Sequence, residues 1–142
     1  MNPKRLILAI VAVFVFLFAT NYLIHEVWLK SDYNATANLW RSKADMQQHF
    51  CWLILGQFLM AVAFVMLWAR GFAAISHLRC AVLYGLFMAL FSQANTFITY
   101  AVQPLPAVIP VKWFIAGVAQ GVLMGLLVFF VYKPKPEQPK PQ

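Results

Sequence analysis

Four stretches of this chain, near Leu6 to Trp28, Phe50 to Ala69, Cys80 to Val102 and Val111 to Tyr132, are long and apolar enough to cross a bilayer. A hydrocarbon core about 30 Å thick takes about 20 helical residues, and each run supplies that length almost without charge. Nothing else in the sequence constrains the fold as strongly. Of 142 residues 63% are hydrophobic and 11% charged, where a soluble domain carries about a quarter charged residues. The spans predict an all-α, polytopic membrane protein with four transmembrane helices in a compact bundle over residues 1–132. Residues 133–142, "KPKPEQPKPQ", read as a disordered, basic, Pro-rich tail.

The first run follows Lys4 and Arg5, as a secretory leader would. No small-x-small cleavage site closes it, and apolar character resumes through Val27. It reads as a retained helix. The positive-inside rule orients the bundle: Lys4, Arg5, Arg70, Arg79, Lys133, Lys135 and Lys140 fall on one side, and only Lys30, Arg41, Lys43 and Lys112 on the other. Both termini are therefore expected in the cytoplasm of a multi-pass protein of the bacterial inner membrane. The net charge of +7 is this topology signal plus a tail attracted to anionic lipid. With no basic patch interleaved with aromatics, nucleic acid is not an expected partner; the lipid bilayer is, with a homo-oligomer or a larger membrane complex as further possibilities.

Cys51 opens the second span and Cys80 the third, at opposite faces, on the order of 30 Å apart. A disulfide needs Cα atoms within about 7 Å, so the two cannot pair within one chain. No Cys-x-x-Cys pair is present, which excludes the membrane disulfide oxidoreductases.

Between the first two spans, Lys30 to His49 has helix-compatible spacing, with Tyr33, Ala37 and Trp40 on roughly one face, and is expected to lie at the outer interface with Trp28, Trp40 and Trp52 as belt residues. "RGFAAISHLR" reads as a short hairpin connection. "QPLPAVIP" (Gln103 to Pro110), with three prolines and no charge, is expected to be extended and partly sunk into the interface. A weak duplication shows in Arg5/Asn21 against Arg79/Asn95 and in Trp52/Gly56 against Trp113/Gly117.

Polar residues inside the spans define the candidate site. Running helices 1 and 3 outward and helices 2 and 4 inward places Asn21, Gln57, Asn95 and Gln120, one carboxamide per helix, in one layer of the outer leaflet. An amide facing lipid loses several kcal/mol of hydrogen bonding (roughly), so all four are expected to point inward. Ser92, Asn95, Thr99 and Gln103 form a stripe on helix 3, and His25 stands one turn above Asn21. Two readings of Asn21, His25, Gln57, Ser92, Asn95, Thr99 and Gln120 stay open: hydrogen-bonded glue between helices, or a polar pocket open to the outside.

No Asp, Glu, Lys or Arg lies mid-span, which argues against a proton-coupled pump and the small multidrug transporters. His25, Glu26, His49 and Cys51 are ligand types for zinc or copper, but their spacing is no metal motif, and two interfacial histidines with a solvated carboxylate explain them better. His77 belongs to the inner face, so haem has no ligand pair. No cofactor or metal is expected. The methionines read as core filler. Neither a nucleophile-base pair nor a phosphate loop appears, so no catalytic residue is assigned and an enzyme is not expected. Gly117, Gly121 and Gly125 form a GxxxGxxxG packing ridge on helix 4, for a helix of this chain or of a second copy.

At "HEVWLKSDYNATANLWR", "LGQF", "NTFITYAVQPLP" and "KWFIAG" the chain resembles a family of small, uncharacterised, four-helix bacterial inner-membrane proteins, a resemblance that implies the fold and no activity. "NTFITY" also looks like the Thr- and Phe-rich break in helix 3 of the small fluoride channels, whose glycine-rich, arginine-containing opening is missing here. The function expected is a non-catalytic accessory or scaffold protein with a polar layer between its helices; the alternative is a small-solute or ion permeation or binding module.

Overall fold

The computed structural model describes residues 2–75 and 77–132; the tail lies outside the described residues. Every regular element among them is helical. The long helices are α1 (Pro3–Tyr22), continued by a π-helical turn (Leu23–Trp28), α4 (Phe50–Gly71), α5 (Leu78–Val102) and α6 (Val108–Val131). All four are long and apolar enough to span a membrane, so the chain is a multi-pass membrane protein. Short helices α2 (Lys30–Ala35) and α3 (Lys43–Gln48), with a 3-10 turn between them, connect the first span to the second. The connecting segment is thus broken at Thr36 rather than continuously helical.

Local chemistry sets the ends. Asn2 caps α1 by accepting from the Arg5 amide at 3.3 Å, with Pro3 in the first turn, where its missing N–H costs nothing. Ser42 caps α3 through the Asp45 amide at 3.2 Å. The Arg41 guanidinium donates to Asp45 at 2.8 Å and holds that exposed carboxyl below its usual range. The proline-rich link is shorter than its sequence suggests, because Val108, Ile109 and Pro110 already belong to α6. Proline is tolerated there because first-turn amides have no helical acceptor. Leu105, in this link, is buried against the protein, and its neighbours Pro104 and Pro106 are exposed.

In packing order the spans run α4, α1, α6, α5: α1 touches α4 and α6, and α6 touches α5. The α5–α6 seam is the tightest. Ala81, Gly85 and Ala89 on α5 face Gly121 and Gly125 on α6, and a Cβ on Gly125 would collide with the Ala81 carbonyl and lie 3.0 Å from Gly85 Cα. The glycine ridge therefore packs within the chain. Small residues at i, i+4 and i+8 let backbones approach where no side chain could fit.

Spans α4 and α5 meet mainly through aromatic side chains at the end where the chain starts and α6 finishes. Tyr84 packs on Phe64, Trp68 and Phe72 with ring centroids 4.8, 5.3 and 5.0 Å away, and its hydroxyl donates to the Phe64 carbonyl. Toward the opposite, connection end Met60 and Ala63 on α4 and Phe91 and Ser92 on α5 are left exposed.

Candidate functional site

At the connection end, α1, α5 and α6 enclose a cavity of about 200 Å³ lined by Asn21, Ile24, His25, Gln93, Thr96, Trp113, Ala116, Gly117 and Gln120. The end of α1 contributes through its irregular turn. Thr20 Oγ1 donates back to the Phe16 carbonyl at 2.7 Å, a bond that bends helices. The following turn is π-helical, with the Leu29 amide reaching Ile24 O at 2.9 Å. An inserted residue of this kind re-aims side chains, and here both Asn21 and His25 line the cavity.

Gln120 ties α6 to α1. Its Nε2 donates to Thr20 Oγ1 at 2.5 Å and to Asn21 Oδ1 at 3.1 Å. On α5, Thr96 donates to Gln93 Oε1 at 2.9 Å. A Cβ on Gly117 would strike the Gln93 side chain, so this glycine makes room for a polar wall rather than for a helix backbone.

The cavity rim is held by the connecting segment. Asp32 and Tyr33 on α2 meet Lys112 and Trp113 on α6 in matching order: Lys112 Nζ lies 2.6 Å from Asp32 Oδ2, and Trp113 Nε1 donates to the Tyr33 hydroxyl at 2.7 Å. Lys112 also sits 5.7 Å above the Trp28 ring. His25 Nδ1 is 2.6 Å from the same Tyr33 hydroxyl, with the two rings nearly parallel. An indole N–H can only donate, so the Tyr33 oxygen accepts from Trp113, which leaves its hydrogen available to His25 Nδ1. With Tyr33 as that donor, the neutral imidazole carries its proton on Nε2, its remaining hydrogen-bonding position. Burial, above all, pushes the Tyr33 hydroxyl up to about 12, so it stays a donor. Trp40 closes the cluster, edge-on to Tyr33 and Trp113, with its indole donating to Thr36 at 2.9 Å.

The structure brings Asn21, His25 and Gln120 together, and it corrects the inward placement of Asn95 and Ser92. Asn95 is exposed, as is Ser92, and Thr99 turns its hydroxyl to the Asn95 carbonyl at 2.9 Å. Ser92 borders only a deeper, apolar space. The reason is rotation: docking of Ala81, Gly85 and Ala89 on α6 fixes α5, and the same i+4 row continues to Gln93, about 100° from Ser92. Gln57 is buried on α4 but outside the cavity, and its Oε1 has no hydrogen-bond partner among the described residues. Gln93, Thr96, Tyr33 and Trp113 are the residues the sequence reading missed. The small-residue row ending in Gln93 is the signal that could have found the first two.

Among the described residues no three His, Cys, Asp or Glu side chains gather to hold a metal ion. Cys51 is exposed and neither cysteine is bonded to the other. Comparison with protein-family models, curated proteins and solved structures gives no match to this chain.

Proposed function

We propose that this is a non-catalytic protein of a bacterial inner membrane, with both termini cytoplasmic, whose connection-end cavity receives a small, uncharged hydrogen-bonding group from the outside. The observation that carries the reading is the unused polar capacity of the wall. Asn21 Nδ2, Gln93 Nε2 and Gln120 Oε1 make no hydrogen bond to described residues, and all three residues line one space. A layer serving only as glue would pair these atoms with one another, since an unmet polar group in hydrocarbon is costly. No charged side chain lines the cavity, and the nearby Lys112 and Asp32 neutralise each other. An uncharged donor-acceptor group is therefore the matching chemistry.

The accessory or scaffold reading draws on the Gln120 bonds to α1, and one experiment separates the two. With both native cysteines replaced by serine, Thr96→Cys in liposomes should react with a charged, impermeant methanethiosulfonate applied from outside. A thiol there that stays unreactive from outside in folded protein would leave the amides as packing and overturn the binding reading.

A further inference from the structure

The polar cavity continues into a second space. One to two turns deeper lies a chamber of about 300 Å³ that shares Gln93, Gly117 and Gln120 with the cavity above and is otherwise walled mainly by apolar side chains, among them Leu17, Met60, Phe64, Met88 and Met124. It lies between α4 and α5, against Leu17 of α1 and Met124 of α6. Its wall is open sideways: Met60 and Ala63 on α4 and Phe91 and Ser92 on α5 are all exposed, Phe91 to 82%. The opening has a structural cause. The tight α5–α6 seam and the Tyr84 cluster fix α5 at two places, and neither holds it against the outer half of α4.

We propose that the site takes a single-chain amphiphile with an uncharged, hydrogen-bonding headgroup, the headgroup resting among Asn21, His25, Gln93 and Gln120 and the chain in the apolar chamber, leaving between α4 and α5 into the bilayer. This rests on the reading of the upper cavity as a binding site and adds the class of ligand. Three features fit such a molecule together. The polar and apolar spaces are continuous, no cation or carboxylate lines either, and the opening faces the phase in which an acyl chain dissolves. Flexible methionines on three sides, Met60, Met88 and Met124, suit a wall that adapts to a chain. A water-soluble solute would have no use for the lower chamber.

The Thr96→Cys protein, reconstituted in phosphatidylcholine liposomes, tests this with monopalmitoylglycerol as the probe. Bound ligand slows labelling in proportion to occupancy, so protection of about tenfold is expected at a lipid fraction roughly ten times the dissociation constant. Glycerol should give none, and the palmitoyl lysophosphatidylglycerol, with a charged headgroup, much less. Adding Ala63→Phe, which fills the chamber from its exposed side, should remove the protection while labelling without amphiphile continues. Equal protection by glycerol, or protection untouched by Ala63→Phe, would overturn the amphiphile and leave the polar cavity standing. Absence of labelling in any condition would overturn both.

Discussion

Gly85 on α5 and Gly121 on α6 each occupy the space the other's side chain would need: a Cβ on Gly85 would collide with the Gly121 carbonyl, and one on Gly121 would lie 2.9 Å from the Gly85 carbonyl. Gly121→Leu should accordingly force the seam apart and cost about 1–3 kcal/mol or more, as overpacking does. Gly56, on α4, has nothing within 4 Å of the added methyl, and Gly56→Ala should raise stability by about 0.4–1 kcal/mol through lost freedom in the unfolded chain. Thermal unfolding in mild detergent checks both. Indifference to the leucine would mean that the two helices do not meet on these glycines.

The four carboxamides should respond unequally. Asn21→Leu and Gln120→Leu each leave the other partner without its bond and are expected to cost about 1 kcal/mol. Asn95 makes no side-chain hydrogen bond to described residues and is exposed, so Asn95→Leu should leave stability unchanged or raise it. Gln57→Met should do the same, because it replaces a buried oxygen that has no donor. Denaturant unfolding of the four variants side by side gives the ranking, and equal losses at all four positions would contradict it.

That ranking shows what the sequence could and could not convey. Apolar run length determines the spans, since bilayer thickness sets it, and helix rise puts Asn21 and Gln120 at matching depths. Depth says nothing about rotation. The polar stripe on α5 pointed to Ser92, Asn95 and Thr99, whereas the packing of Ala81, Gly85 and Ala89 turned Gln93 and Thr96 inward. In a membrane, close backbone contact is a stronger organiser than a polar stripe. The pairing of Asp32 and Tyr33 with Lys112 and Trp113 joins residues 80 apart through a bent connection, and no periodicity encodes it.

Tyr33 offers a test of the rim. Tyr33→Phe removes the acceptor of Trp113 and the donor to His25, and should destabilise the fold by about 1–2 kcal/mol. The hydroxyl is held above its ordinary value near 10, up to about 12, so the folded state keeps a proton that the unfolded chain releases first. Its contribution is complete below pH 10 and falls away as pH rises through about 12. The phenolate absorbance of wild type minus Tyr33→Phe should show this late titration. A difference titration centred at the ordinary tyrosine value would mean that the hydroxyl is solvated.

Lys112 and Asp32 are mostly shielded, with side chains 24% and 16% exposed. Lys112→Met should destabilise more than the double variant Asp32→Asn, Lys112→Met, because a single change strands one charge. Unfolding midpoints of the single and double variants decide it. An additive double variant would show that the pair contributes no coupling.

The most direct measurement is nitrogen-15 solid-state NMR of histidine-labelled protein in bilayers, held well above the ordinary imidazole titration range and assigned with His25→Gln. The neutral His25 ring should carry its proton on Nε2, with Nδ1 accepting from Tyr33, and Nε2 should show magnetisation transfer from water in the cavity. A proton on Nδ1 would contradict the donation from Tyr33, and an imidazole N–H without contact to water or ligand would contradict a polar site between α1, α5 and α6.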